Sequence, residues 1–536
     1  IMSRSEGCTM FGFIVVLSSL LLPPSTCVQQ SNILLASMPR YSHLVLLTHF
    51  SDLLVKRGHV LHVALPEHMT ELHEVVLNAG MQPLLYKLSD EMKQRWNPKP
   101  HLKSMLQSRQ DGDSKKAFKL LQTFSVSITD LCDCMLSDRD FRERASKINF
   151  KFAIVDSFVL SRCMHALPYL LGIPHAGVPS AVDPWVTKLP WNPAVLPHVL
   201  LALDEDMSFY DRLKNVIVTI WFSAFPLAGN AETTVLRKHF SADEISSWSH
   251  LASKASIFFV PSDHLSQYAT PAMPHVIYTD AGSAKPAKPL PEDIMDFVSK
   301  HKNGVILTSF GSEAENLPHV LVQKLFEALR KIKDYGIILK YPKEDIDQKV
   351  VPNNMLIQEW LPQNDILAHP KTRLFVSHCG LRSYQEALYH GVPMVGLPLF
   401  GDQDYWAVVM ASRGQGIKLE SYSFTPEELH SAMIEVISNP KYKNKVMLES
   451  ALIKYKPMNA SEVVAHHVEQ IIKYGDGHLR PSYAEIPWYQ FLMLDIFATI
   501  LAAVAVIIIL VVYFCKCVFR KWCGPGKVLQ KMGKTD

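Results

Sequence analysis

The chain has 536 residues, 48% of them hydrophobic and 20% charged, which excludes a disordered segment. Its net charge of +3, with no basic patch interleaved with aromatics, excludes a dedicated nucleic-acid binder. At about 150 residues per domain the length suggests three domains, and two large α/β domains fit equally well.

From the N-terminus, residues 11–22 (FGFIVVLSSLLL) form an apolar run behind Arg4 and ahead of Pro23-Pro24 and Ser25-Thr26-Cys27. This layout reads as a secretory signal peptide over residues 1–27, with a buried N-terminal strand as the alternative. Residues 33–38 are a short apolar run, residues 43–57 have helical patterning and end at Gly58, and residues 59–65 are the next strand. Residues 150–158 (FKFAIVDSF) form another strand, followed by a helix over SRCMHALPYLLG that Pro168 kinks or ends. Strands alternating with helices predict a parallel sheet covered on both faces. Residues 284–293 (AKPAKPLPED) have the composition of a stiff linker, after which the same rhythm restarts. Residues 304–312, 335–341, 354–363, 373–378 and 392–400 carry the strands of this second half, with a helix over residues 318–332. The fold class is therefore α/β: two Rossmann-like doubly wound domains, residues 28–284 and 285–480, facing across a cleft.

Near the C-terminus, residues 496–514 carry no charge. With the residues just before them they can cross a hydrocarbon layer of about 30 Å as a transmembrane helix over residues 491–514. Lys516, Arg520, Lys521, Lys527, Lys531 and Lys534 follow. The positive-inside rule places this basic tail, residues 515–536, in the cytosol, and the bulk of the chain in a lumen or outside the cell. A buried core helix is the alternative for the apolar run. Cys132, Cys134, Cys163 and Cys379 fall in the bulk, in a spacing that matches neither a zinc site nor a dense disulfide framework. Cys515, Cys517 and Cys523 adjoin the membrane segment as palmitoylation candidates. Asn459-Ala460-Ser461 is a glycosylation sequon.

In open parallel sheets, ligands sit beyond the C-terminal ends of the strands, and in the second half those ends carry polar residues. Ser309, Gly311 and Ser312 end one strand, Trp360 and Gln363 follow another, His378 and Gly380 end a third, and Asp402-Gln403 ends a fourth. The turn after His378 enters a helix near Arg382-Ser383, where free backbone N–H groups, the helix dipole and Gly380 suit an anion. Trp360 offers a flat face to a planar ring, and Asp402 and Gln403 offer an acceptor and a donor to sugar hydroxyls. Together they describe a pocket for a nucleotide diphosphate sugar. Singly, each has a plainer role: Glu386, three residues after Ser383, completes a capping box, Trp360 is a core aromatic, and Asp402 is a helix N-cap.

The stretch WLPQNDILAHP…FVSHCGLRSYQEALYHGVPMVGLPLFGDQ, from Trp360 to Gln403, resembles the signature of the UDP-glycosyltransferases. The signal peptide, the KPAKPLP linker and the membrane anchor extend the resemblance to the animal microsomal branch, the UDP-glucuronosyltransferase-like proteins, over nearly the whole chain. It implies the two-domain GT-B fold, with the acceptor bound mainly by the N-terminal half and the UDP-sugar by the C-terminal half. It implies that Trp360 and Gln363 contact uracil and ribose, and Glu386 the ribose hydroxyls. Ser309, Ser312, His378 and the turn at Gly380 would hold the diphosphate, and Asp402 and Gln403 the sugar. The family's catalytic pair maps onto His43, in PRYSHL just after the first strand, and Asp156, in IVDSF. His43 would take the proton of an acceptor hydroxyl while Asp156 fixes the imidazole tautomer, giving inverting transfer of a hexosyl group. The resemblance implies glucuronic acid as the sugar, with glucose as the alternative, and a small lipophilic acceptor. It further implies residence in the endoplasmic reticulum membrane with luminal catalytic domains, and a tendency to form homo- or hetero-oligomers. No cofactor or metal is expected. Asp111-Gly112-Asp113 looks like the D-x-D metal site of the other large glycosyltransferase fold, but it has no strand before it and reads as a solvated loop.

Three positions depart from the family pattern. Arg382 and Trp406 stand at usual asparagine positions, and Thr270 stands where many relatives carry arginine. Arg382 retains the ability to bind phosphate as a guanidinium. These departures motivate a rival reading, a non-catalytic relative that binds nucleotide or a partner subunit, against which stand the intact His43, Asp156, Asp402 and Gln403.

Overall fold

The computed structural model describes residues 30–96, 98–224, 227–279, 284–345 and 351–523. The signal-peptide candidate and the end of the basic tail lie outside them. Residues up to Arg480 make one compact unit, and residues from Pro481 make a second.

The larger unit contains two sheets. β1 (Asn32–Ala36), β2 (Val60–Pro66), β3 (Gln82–Tyr86), β4 (Phe150–Asp156), β5 (His175–Val178), β6 (Ile257–Val260) and β7 (Val276–Tyr278) form the first. β8 (Val305–Ser309), β9 (Gly336–Lys340), β10 (Met355–Gln358), β11 (Thr372–Ser377), β12 (Met394–Gly396) and β13 (Gly416–Lys418) form the second. The spatial orders are β3-β2-β1-β4-β5-β6-β7 and β10-β9-β8-β11-β12-β13. The β1–β4 and β8–β11 pairs at their centres are both parallel. Central strands such as β4 (FKFAIVD) and β8 (VILTS) are buried almost end to end, as strands covered on both faces must be. The order of each sheet reverses direction between β1 and β4 and between β8 and β11. Each half therefore has one topological switch point, the crevice where ligands of such sheets sit.

The helices explain why the two halves make one unit. α1 (Tyr41–Lys56) buries Leu44, Leu47, Phe50 and Leu54 along one stripe against the first sheet. α2 (Pro98–Gln110) belongs to the first half in sequence, yet its Leu102 and Leu106 pack in the core of the second sheet with Phe310 and Leu317. α3 (Ser114–Ser137) follows after a turn at Gly112, whose φ is +74°. In that turn Asp113 caps α3 by accepting from the Lys116 N–H, and Asp111 accepts from the Gln107 side chain. The D-x-D pair is thus a helix–helix turn. In the opposite exchange, α7 (Ala460–Tyr474) returns from the second half, and its Val464, Ala465, Val468 and Ile471 complete the core under β1 and β2. Three further helices of the second half, α4 (Gln363–Ala368), α5 (Leu381–His390) and α6 (Gln403–Ser412), begin at strand ends. The linker is pinned to both sides: the Lys285 N–H donates to Asn364 Oδ1 (3.1 Å) and Lys285 Nζ to Asp52 (3.3 Å).

Residues 161–172 differ from the helix expected to kink or end at Pro168, because the break comes before it. They form a 3₁₀ turn, Arg162–His165, then a short helix, Ala166–Leu170. Pro168 has no N–H to give to the carbonyl of Met164, so an unbroken α-helix cannot form. Cys163 in the turn is disulfide-bonded to Cys132 on α3, a pairing that the cysteine spacing does not announce.

In the second unit, α8 (Leu494–Cys523) is long and apolar enough to cross a membrane. It starts three residues later than expected, because Met493 takes a positive φ of 54° and separates it from the short helix Trp488–Phe491. It also runs past residue 514 through Lys516, Arg520 and Lys521, since nothing in those residues breaks a helix.

Candidate active site

The first switch point brings His43 and Asp156 together. The backbone at Arg40 is extended, so α1 begins at Tyr41 and His43 lies in its first turn. Asp156 is the last residue of β4, buried at the sheet end. His43 Nδ1 lies 2.9 Å from Asp156 Oδ2. Oδ2 also accepts from the Met38 N–H (3.2 Å), and Oδ1 from the Phe158 N–H (3.1 Å). Burial alone would raise this carboxyl, but the imidazole and the two backbone N–H groups hold it below the usual aspartate range. An ionised carboxylate only accepts, so Nδ1 carries the proton and Nε2 is left as a free base. The Phe158 ring meets the imidazole edge-on, with centroids 5.3 Å apart.

The second switch point is a cradle around His378. This ring is buried and bonded to the Ser309 backbone, and burial pushes its pKa down to about 4, so it is neutral at physiological pH. Two glycines let the backbone close on it. A Cβ at Gly380 would stand 2.6 Å from His378 Nε2, and one at Gly311, whose φ is +62°, would stand 3.0 Å from Cε1. Between them Cys379 holds the left-handed conformation, φ 57°, that a non-glycine residue adopts only under local constraint. Gly380 is the N-cap of α5 and supplies no side chain, so the first-turn N–H groups have no side-chain partner there. Ser309 Oγ accepts from the Gly311 N–H at 3.3 Å, and Ser312 is exposed on the following turn. The arrangement can receive an anion.

Beside the cradle, Gln363 Nε2 donates to Glu386 Oε2 (2.7 Å) and to Ser383 Oγ (3.1 Å), so Gln363, Ser383 and Glu386 form one cluster. Burial raises the Glu386 carboxyl, and the Arg382 guanidinium, 3.7 Å away, partly offsets this. Ser383 sits inside α5 rather than at its cap, so the capping-box alternative fails. Trp360 is not a core aromatic: it is 59% exposed, with the Tyr41 ring edge-on at 5.4 Å and Lys340 Nζ 4.5 Å from its centroid.

Asp402 occupies the N-cap position of α6, but its side chain does not cap the helix. Its Oδ2 accepts instead from Trp406 Nε1 at 2.9 Å, and burial raises the carboxyl. Trp406 is fully buried and stacks on Tyr384, so it braces Asp402 from behind. Gln403 Oε1 accepts from the Leu399 and Phe400 N–H groups, which leaves its amide NH₂ as the free end. Thr270 is tied to the Tyr278 hydroxyl (2.7 Å).

One cleft runs from Ser157 and Phe158, next to the His43–Asp156 pair, to Asp402 and Tyr405. The rest of its lining comes from residues 180–185 and 196–200, with Arg162, Trp191, Phe222, Gln267 and Thr270 among the others. Arg162 and Asp183, paired in the cleft wall, carry no sequence signal because 21 residues separate them.

The profile described as "UDP-glucoronosyl and UDP-glucosyl transferase" matches residues 32–528. UDP-glucuronosyltransferase 2C1 of Oryctolagus cuniculus is 30% identical, covering 77% of this chain and 82% of its own length. UDP-glucuronosyltransferase 3A1 of Homo sapiens is 28% identical, covering 91% and 93%. The solved structure of CalG4, the calicheamicin glycosyltransferase, superposes with a TM-score of 0.55 at 15% identity, over 84% of this chain and all of that one. That likeness establishes the GT-B fold expected from the sequence. By the profile match over most of its length the chain belongs to the family of UDP-glucoronosyl and UDP-glucosyl transferases, and it is a glycosyltransferase.

Proposed function

We propose that this glycosyltransferase moves a hexosyl group from a UDP-sugar to a hydroxyl of a small lipophilic acceptor, with inversion at the anomeric carbon. The observation that carries the reading is the 2.9 Å contact between His43 Nδ1 and Asp156 at the mouth of a cleft that continues to Asp402. His43 Nε2 takes the acceptor's hydroxyl proton as the oxygen attacks the anomeric carbon. The bond from that carbon to the phosphate oxygen breaks, and UDP leaves with the electron pair. Asp156 stabilises the imidazolium formed. A single displacement with no covalent intermediate inverts the centre. The intact pair is the argument against a non-catalytic role.

Residues 28–284 take the acceptor in this reading, and residues 285–480 the donor. Trp360 stacks on uracil, Gln363 and Glu386 bind ribose, and Ser383 supports them. Ser309, Gly311, Ser312, His378, Gly380 and Arg382 receive the diphosphate, and Asp402 and Gln403 the sugar. No metal takes part. Glucuronic acid is the sugar named in the relatives. UDP-glucose is the second reading, favoured by one observation: Thr270, Gln267 and Tyr405, which line the cleft with Asp402, are neutral, so none of them offers a cation to a glucuronate carboxyl.

The Cys132–Cys163 disulfide supports an oxidising compartment, and α8 supports a membrane anchor, which together fit luminal domains in the endoplasmic reticulum. The sequon residue Asn459 is exposed, although its side chain also caps α7.

UDP release tests the reading, using membranes carrying the protein, a mixed phenol and steroid pool, and each donor separately. Release with one donor, absent from His43→Ala, supports the reading and selects the sugar. Equal release by His43→Ala and wild type would refute the mechanism.

A further inference from the structure

Two side chains in the cleft wall, Arg162 and His198, each carry an N–H with no hydrogen-bond partner among the described residues. Arg162 is 7% exposed and lines the cleft. Its Nη1 donates to Ser249 Oγ (2.7 Å), and its Nη2 to Asp183 Oδ2. Its Nε is buried with no partner among the described residues. Asp183 Oδ1 accepts from the Trp185 and Val186 N–H groups, so three of the carboxylate's four lone-pair sites are taken. His198 lines the same wall, stacked on Phe222 at 5.4 Å. Its Nδ1 accepts from the Leu200 N–H (3.2 Å), so the ring proton sits on Nε2. Burial pushes this imidazole down to about 4, and the ring is neutral.

We infer that Arg162 and His198 form a subsite for a hydrogen-bond-accepting oxygen of the acceptor molecule, a carbonyl or ether separate from the hydroxyl that reacts at His43. The inference rests on the reading above that this cleft takes the acceptor. A ligand oxygen satisfies the surplus N–H groups. Asp183 already neutralises the guanidinium, so the site selects a neutral oxygen rather than a carboxylate, whose desolvation would go uncompensated. The substrate class is therefore an aromatic or polycyclic alcohol with a second, acceptor-only oxygen, its rings lying among Phe158, Trp185, Trp191 and Phe222.

The test is a matched pair of phenols: 4-(4-hydroxyphenyl)butan-2-one and 4-butylphenol. They share a chain length and differ in one carbonyl, insulated from the phenol by two methylenes. Binding of each is measured by titration calorimetry on the full-length protein in nanodiscs with UDP present. The two variants are Arg162→Met/Asp183→Asn, which removes the charge pair without stranding either partner, and His198→Phe, which keeps the stack on Phe222. The affinity ratio of ketone to alkylphenol should fall about tenfold in the double variant and by a smaller factor in His198→Phe, with 4-butylphenol binding retained. If the double variant does not fold, His198→Phe decides. A ratio identical in wild type and variants overturns the subsite, as does a wild type that binds neither phenol. UDP release with a UDP-sugar, measured on the same protein, separates the two claims. Arg162-dependent binding without release would sink the transfer reading and leave the subsite standing, and release with an unchanged ratio would do the reverse.

Discussion

Each half of the molecule places a histidine at the switch point of a sheet with the same central strand order, and the two stand in opposite surroundings. His43 stands at the cleft mouth with its side chain 22% exposed, and its Nδ1 faces a carboxylate. His378 is 8% exposed and is bonded to a backbone group of Ser309. The carboxylate fixes the His43 proton on Nδ1 and leaves Nε2 as the accepting nitrogen. Burial keeps His378 uncharged, outweighing the Ser309 backbone hydrogen bond, which favours the charged ring. The topology sets where a residue sits, and its burial sets whether it can carry charge.

The comparison breaks most visibly if the roles are not separable. His43→Ala should lower kcat at least about 100-fold and leave UDP binding unchanged, measured by UDP release and by titration with UDP. Gly380→Ala should do the reverse. Its Cβ would stand 2.6 Å from a ring that cannot retreat, at a cost of about 1–3 kcal/mol that should appear as weaker UDP binding. Loss of kcat without loss of UDP affinity would contradict the cradle.

Trp406→Phe sharpens the donor side. It keeps the stack on Tyr384 and removes the N–H that holds Asp402, so the KM for the donor should rise about threefold to tenfold. The smallest effect is on stability and concerns Asp156. Its folded pKa lies below the unfolded value, so the charged side chain contributes stability that is fully present above about pH 4 and is lost as pH falls through the folded pKa. Wild type should therefore be more stable than Asp156→Asn at pH 7, and the gap should close on acidification. A gap that widens toward low pH would mean the carboxyl is protonated in the folded state.

What the sequence displays are features written within a few residues: apolar runs, the glycine after a strand, a polar pair at a strand end. The strands around both switch points, His43 and Asp156, and the turn at Gly380 are features of this kind. Contacts that need distant segments to meet are hidden. Nothing near Cys132 points to Cys163, and the helical pattern of residues 98–110 does not say which sheet it covers. The Asp402–Trp406 hydrogen bond lies between. Its i,i+4 spacing on a helix carries the signal, but family habit draws attention to the asparagine that is missing rather than to the indole N–H gained.

The exchange of helices has a consequence for how the chain is made. Cut at the linker, the first half would lose Val464, Ala465, Val468 and Ile471 of α7 from its core, and the second half would lose Leu102 and Leu106 of α2 from the core around Phe310 and Leu317. Neither fragment owns a finished core. Expressed separately, the two should aggregate; expressed together, they should recombine and purify as one particle. During synthesis the first half must wait, its sheet incompletely covered, until some 170 further residues have emerged after the linker.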